Sequence, residues 1–129
     1  MAEEPRTVLY IEDQPVNARL LKDVVNFLWG WPVDIVPTAE EGLEQLQSKT
    51  YDLIYLDVNL PGLSGYDAAK RIRELASARN TLIIAVTADA TSRARLDALN
   101  AGCDDYISKP LDISELKTMT ERLLDRDSI

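Results

Sequence analysis

Histidine is missing from this 129-residue chain and cysteine occurs once, at Cys103. Without an imidazole there is no Ser-His or Cys-His nucleophile pair, and no phosphoryl group can be carried on a histidine of the chain's own. A lone cysteine forms no internal disulfide and supports no cysteine-based zinc site, and it fits a reducing compartment; Cys103 reads as a small buried filler. Long hydrophobic runs are also lacking. No window approaches the roughly 20 apolar residues of a membrane span, and Met-Ala-Glu-Glu-Pro-Arg at the start has no apolar core of a signal peptide. The expectation is a soluble, cytoplasmic protein with no membrane association. Basic charge is in short supply as well: Lys and Arg number 14 against 22 Asp and Glu, a net −8, so nucleic acid phosphates would repel the chain and no direct nucleic acid contact is expected. With 5 Gly and 6 Pro no linker or low-complexity stretch stands out. The length suits one domain, residues 1–129 with a core of about 7–125. Met1 and the polar end Asp-Ser-Ile favour a small free-standing protein.

What is present alternates with regularity. Val8–Ile11, Leu53–Leu56 and Leu82–Val86 are short unbroken apolar runs, the pattern of strands buried on both faces of a parallel sheet. Val33–Val36 and Tyr106–Ile107 are weaker runs that suit edge strands. Between them apolar residues recur at helical spacing: Val16, Leu20, Leu21, Val24 and Leu28; Leu43 and Leu46; Ala69, Ile72 and Leu75; Leu116, Met119 and Leu123. Thr38 with Glu41, and Asp112 with Glu115, have capping-box spacing, while Gly30 and Gly102 stand where helices would end. The fourth helix, around Thr91–Ala101, has only Leu96 and Leu99 as large apolar residues in its middle and should be the most loosely held element. Trp29 and Trp31 are expected to pack the first helix against the edge strand. Five βα units with right-handed crossovers give an open, doubly wound parallel sheet with helices on both faces, whose ligands bind beyond the carboxyl ends of the strands.

Every informative polar group falls at that edge. The first strand ends in Glu12-Asp13, the third in Asp57, the fourth in Thr87 and the fifth in Lys109-Pro110. Carboxylates after neighbouring strands repel one another, by roughly 4 kcal/mol for two unit charges about 4 Å apart at an effective dielectric near 20. A divalent cation removes that cost, and a few hard oxygen ligands with room for waters and a phosphate suit Mg²⁺ better than zinc or a fully caged calcium. Singly, the acidic pair would be read as helix N-terminal charge, Thr87 as a β-branched strand residue and Lys109 as a solvated cation. Together they form a set: carboxylate nucleophile, metal site, cation and hydroxyl.

The segments Tyr-Ile-Glu-Asp-Gln (10–14), Leu-Asp-Val-Asn-Leu-Pro-Gly-Leu-Ser-Gly (56–65), Ala-Val-Thr-Ala (85–88) and Tyr-Ile-Ser-Lys-Pro (106–110) resemble the four signatures of response-regulator receiver domains, over almost the whole chain. The resemblance implies the flavodoxin-like strand order 2-1-3-4-5 and a phosphoryl group accepted on Asp57. It implies Mg²⁺, with Mn²⁺ as a substitute, bound by Asp13, Asp57 and the backbone carbonyl of Asn59, with Glu12 reaching it through a water. Lys109 is implied to pair with the acceptor and then the phosphate, Thr87 to donate its hydroxyl to a phosphate oxygen, and Tyr106 to turn inward when Thr87 moves. Pro110 is implied to follow a cis peptide bond. Asn59 and Asp89, two residues beyond Asp57 and Thr87, are implied to stand where water attacks and so to tune the lifetime of the phosphoryl group. The donor would be a sensor histidine kinase or a histidine phosphotransfer protein. The output would be binding of a downstream protein through the fourth helix, fifth strand and fifth helix, by a monomer or a phosphorylation-dependent dimer. Such a domain promotes its own phosphorylation and dephosphorylation but is no conventional enzyme.

Two departures from the family pattern lie away from these residues: Asn80-Thr81-Leu82 opens the fourth strand where many relatives have proline, and Trp29-Gly30-Trp31-Pro32 makes the turn before the second. Asn17 and Ala-Gly-Cys-Asp-Asp-Tyr (101–106) resemble receivers of hybrid kinases and single-domain regulators more than those of transcription factors. Three other readings share parts of this pattern. A flavodoxin-like cofactor binder needs a Gly/Ser/Thr-rich phosphate loop after the first strand, where Glu12-Asp13-Gln14 would repel it. A hydrolase with an aspartyl nucleophile would explain Asp57 and Asn59, and a degenerate receiver would bind partners constitutively.

Overall fold

The computed structural model describes residues 5–89 and 91–127; Met1 and the Ser128-Ile129 end, on which the expectation of a free-standing chain leans, lie outside them. Five strands, β1 (Val8–Ile11), β2 (Val33–Val36), β3 (Leu53–Asp57), β4 (Leu82–Thr87) and β5 (Asp105–Ser108), alternate with the helices α1 (Pro15–Trp29), α2 (Ala39–Ser48), α3 (Gly65–Glu74), α4 (Ser92–Asn100) and α5 (Ile113–Asp127), with one short 3₁₀ turn at Ala76–Ala78. All strand pairs are parallel and the order is β2-β1-β3-β4-β5. This is the doubly wound flavodoxin-like fold, with the reversal of strand order between β1 and β3.

The unbroken apolar runs have their physical cause in the two-sided burial of the sheet. Alternate residues point to opposite faces. Leu9, Ile11, Ile54, Leu56, Ile83 and Ala85 pack with Ala39 and Leu46 of α2 and with Ala68, Ala69 and Ile72 of α3. Val8, Tyr10, Leu53, Tyr55, Ile84 and Val86 pack with Leu21 and Val25 of α1 and with Leu116 and Leu123 of α5. The tyrosines in this second layer satisfy their hydroxyls: Tyr55 shares a 2.6 Å hydrogen bond with Thr120 of α5, and its ring meets Tyr10 edge-on.

Caps hold the helix ends at the anticipated places. Thr38 accepts from the Glu41 N–H at 3.1 Å, and its hydroxyl donates to the Glu41 carboxylate; Asp112 accepts from the Glu115 N–H. Gly30 ends α1 with φ 72°, a conformation other residues adopt at a cost.

Two expectations change. Val16 and Leu20 do not face the core: Val16 is 80% exposed and Leu20 about half exposed, while Ala18, Leu21, Val24 and Val25 are buried. The helix carries two neighbouring apolar stripes, and the one with the small Ala18 fits closest to the strands. Trp29 and Trp31 stack on each other at 4.4 Å with 13° between planes. The Trp29 indole donates to Glu121 at 2.8 Å, so the pair fastens α1 to α5 rather than to β2 alone. As for α4, its buried residues are Ala94 and Ala98, and both Leu96 and Leu99 are substantially exposed. Among the described residues no helix is long and apolar enough to cross a membrane.

Candidate functional site

Parallel register sets the site at the carboxyl edge. Ile11 stands beside Leu56, so Glu12 and Asp57 follow on adjacent strands; Thr87 pairs with Ser108, which brings Lys109 in behind β4. Glu12, Asp13 and Asp57 each carry a carboxylate oxygen within 4.8 Å of the others. Asp57 is 2% exposed. One of its oxygens accepts the Asn59 backbone N–H at 3.0 Å, and the other lies 3.4 Å from Lys109 Nζ. That lysine also reaches Glu12 Oε1 at 3.1 Å, so a single ammonium serves two buried carboxylates.

Glu12 receives further donors. The Tyr10 hydroxyl gives it a hydrogen bond at 3.1 Å and the Gln14 backbone N–H another at 3.4 Å. Even so, its carboxyl is pushed above the usual carboxylate range, first by burial and then by the neighbouring Asp57, with Lys109 opposing. Burial alone would pull the Lys109 ammonium down, but its two carboxylate contacts outweigh that and hold it above its ordinary value. The Tyr10 phenol is driven up by burial and by Glu12. Desolvated acids with one shared cation make a pocket that a hard divalent ion would relieve, and the all-oxygen set fits Mg²⁺.

The remaining groups stand around this cluster. Thr87 is buried and its hydroxyl accepts the Asp89 N–H at 3.0 Å. Asp89 is exposed, and one oxygen accepts the Thr91 N–H at 2.9 Å; that bond holds the carboxyl below its ordinary range. Asn59 is exposed at the rim. Tyr106 is half-buried and lines a groove with Ser92, Arg95, Leu96 and Leu99. The Lys109–Pro110 peptide bond is cis.

Sequence reasoning missed Tyr10 and Gly65. Tyr10 looks like one more member of an apolar run, yet period-2 alternation puts its hydroxyl on the same side as Glu12, which was the available signal. Gly65 opens α3 against the acceptor: a Cβ there would collide with Val58 Cα and with the carbonyl oxygen of Asp57, so only glycine lets the helix start so close to the strand end.

Such an acidic cluster lies at the switch point of a doubly wound sheet, where ligands of this fold bind, and its oxygen donors fit a divalent cation. The chain matches the response regulator receiver domain family over residues 8–121 and belongs to it, a family of signalling domains in two-component systems. It is 36% identical over 119 residues to the response regulator ArlR of Staphylococcus saprophyticus, covering 92% of this chain and 52% of that protein; the chain spans about half the length of this curated relative. A putative response regulator from Chloroflexus aurantiacus superposes with a TM-score of 0.90 at 30% identity, covering 95% of this chain and 99% of the other. The receiver domain of a sensor histidine kinase from Pseudomonas aeruginosa, solved with a magnesium ion coordinated in its active-site cleft, gives 0.86 at 33% identity, again over 95% and 99%.

Proposed function

We propose that residues 1–129 act as one receiver domain that takes a phosphoryl group from an external phosphohistidine onto Asp57 and thereby changes the surface offered to a downstream protein. The observation that carries this reading is Asp57 itself. It is a buried carboxylate at a strand end, with one oxygen held by a backbone N–H and the other beside a lysine, facing two further acids. Phosphoryl transfer asks a protein mainly for positioning and charge neutralisation. An Asp57 oxygen bonds to phosphorus as the donor's P–N bond breaks. Lys109 then follows the developing negative charge on the phosphoryl oxygens, leaving Glu12. Thr87 turns its hydroxyl from accepting the Asp89 N–H to donating to a phosphoryl oxygen, and Tyr106 moves into the space beside it. Mg²⁺, for which Mn²⁺ is expected to substitute, would be held by Asp13, Asp57 and the Asn59 carbonyl, with Glu12 through a water, and would neutralise charge on the incoming group.

Asn59 and Asp89 sit at the open side, where each can hydrogen-bond a water approaching phosphorus, so they set how fast the signal decays. The chain promotes both its gain and its loss of phosphate without acting as a conventional enzyme on other substrates. A sensor histidine kinase or a histidine phosphotransfer protein supplies the phosphoryl group in the cytoplasm, and the phosphorylated form acts as a monomer or dimerises. Incubation with acetyl phosphate and Mg²⁺ should add the mass of one phosphoryl group to the wild type and none to Asp57→Asn. Labelling of that variant at another residue would sink the assignment; turnover without accumulated label would favour the aspartyl hydrolase.

A further inference from the structure

One oxygen of Glu12 carries two donors from different elements. Lys109 Nζ lies 3.1 Å from Glu12 Oε1, and the Tyr10 hydroxyl donates to that same oxygen at 3.1 Å. A carboxylate oxygen has two lone pairs, so both bonds can be made together. The other oxygen, Oε2, accepts the Gln14 N–H at 3.4 Å. Glu12 is 2% exposed and Tyr10 is fully buried, so water is no ready substitute for either donor. A small cavity of about 70 Å³ borders Lys109 and Tyr10, lined further by Asn17, Leu20, Pro110 and Leu111.

The two donors differ in their freedom to move. The Lys109 side chain is 22% exposed, rides on a flexible stem beside that cavity, and already lies 3.4 Å from Asp57 Oδ2. Tyr10 is fixed. Its ring belongs to the layer between the sheet and the α1–α5 pair and meets Tyr55 edge-on, with centroids 6.3 Å apart. Phenylalanine would fill that place as well; what tyrosine adds is the hydroxyl on Glu12. Tyr55, in the same layer, commits its own hydroxyl to Thr120 of α5, a bond that fastens the sheet to a helix.

We propose that Tyr10 is a positioning residue for phosphoryl transfer, its hydroxyl holding Glu12 Oε1 when Lys109 leaves that oxygen for the incoming phosphoryl group. This rests on the reading of Asp57 as phosphoryl acceptor. A buried acceptor stripped of its donor is costly. Without the hydroxyl, Oε1 would depend on the lysine alone, and the lysine's departure would leave a buried oxygen unpaired. With it, one donor stays while the other moves, and Glu12 keeps its place through the transfer. Tyr10 acts through Glu12 and Lys109, not on the phosphoryl group.

Tyr10→Phe keeps the ring and removes the hydroxyl. Beryllofluoride with Mg²⁺, a mimic of the phosphoryl group, should bind this variant about tenfold more weakly than the wild type, the size of one buried acceptor left unpaired, and labelling by acetyl phosphate should slow to match. Affinity for Mg²⁺ alone should stay unchanged, because Lys109 and the Gln14 N–H still hold Glu12 when no phosphoryl group is present. Tyr55→Phe is the control for loss of a buried hydroxyl: it should lower the denaturant midpoint and bind beryllofluoride as the wild type does. In metal-free protein, Tyr10→Phe should cost more stability in a Lys109→Met background than in the wild type, since the hydroxyl is then the side-chain donor left on Oε1. Equal beryllofluoride affinity in Tyr10→Phe and the wild type overturns the inference. So does an equal weakening by Tyr55→Phe, which would mark a loosened core, or a loss confined to Mg²⁺ affinity, which would mean that Tyr10 serves the metal site instead. No beryllofluoride response at the wild-type Asn59 amide removes the acceptor reading, and the inference falls with it.

Discussion

The two edges of the sheet use the same residue types to opposite ends. At the amino edge each carboxylate has its own partners: Asp34 takes Lys49 at 2.7 Å and the Tyr51 hydroxyl, Asp52 takes the Thr7 N–H at 2.8 Å, Asp104 takes Arg73 and Asp105 takes Arg122, both at 2.8 Å. At the carboxyl edge Glu12, Asp13 and Asp57 converge, and Lys109 is shared between two of them. The first arrangement spends charge on stability. The second leaves charge uncompensated, the condition that the proposed binding of a cation and a phosphoryl group requires.

If that contrast is right, removing charge should have opposite signs at the two edges. Arg73→Ala leaves Asp104 and several carbonyls without their donor in a part-buried setting and should cost about 3 kcal/mol in denaturant unfolding. Asp57→Asn, measured without divalent ions, relieves the repulsion with Glu12 and lets Lys109 pair with Glu12 alone; it should raise stability by about 1 kcal/mol. In saturating Mg²⁺ that advantage should vanish, because the wild type then gains stability from the bound ion. A loss of stability in Asp57→Asn under both conditions would mean that the carboxyl edge is as well compensated as the amino edge.

Metal affinity sharpens the same contrast from within the cluster. Asp13 is half-buried, at the open side, and Glu12 is enclosed by Tyr10, Gln14 and Lys109. Asp13→Asn should weaken Mg²⁺ binding at least about tenfold, a change of roughly 1.4 kcal/mol, and Glu12→Gln should weaken it less. Calorimetric titration that finds equal affinity in all three proteins would place the ion elsewhere.

How much of this was readable beforehand follows from what decides each feature. The strands were legible because two-sided burial leaves no polar residue in Leu53–Leu56 or Leu82–Val86, and the site was legible because each run ends in a group that an apolar core would not accept. The core face of α1 was not, since Val16, Leu20 and Phe27 make a stripe as apolar as that of Ala18, Leu21 and Val25, and only the fit against β1 chooses between them. Phe27 ends up 84% exposed. The role of Arg73 was hidden for a different reason. Its acceptors are carbonyls of Gly102, Arg79 and Thr81, and backbone groups carry no sequence signal. Tyr10 and Thr120 were obscured in the same way, as polar atoms whose partners come from other elements.

The smallest effect, and the one that reads both edges in one experiment, is the pH dependence of stability in metal-free protein. The hydrogen bond from Lys49, then that from Tyr51, holds the Asp34 carboxyl below its ordinary 3.8. The unfolded chain therefore takes up the proton first as the solution is acidified. The stability from Asp34 is complete above 3.8 and is lost as pH falls through the depressed value. Glu12 runs the other way. Burial, then Asp57, lifts it above 4.5, so the folded protein binds the proton more tightly, and stability declines as pH rises from about 4.5 through the raised value. Unfolding measured across the acidic range should thus show a loss on the low side that Asp34→Asn flattens and a loss on the high side that Glu12→Gln flattens. Each variant should leave the other side alone, because the two carboxylates stand at opposite edges of the sheet and share no partner. Identical profiles for the wild type and both variants would show that the two edges do not differ in how their charge is compensated.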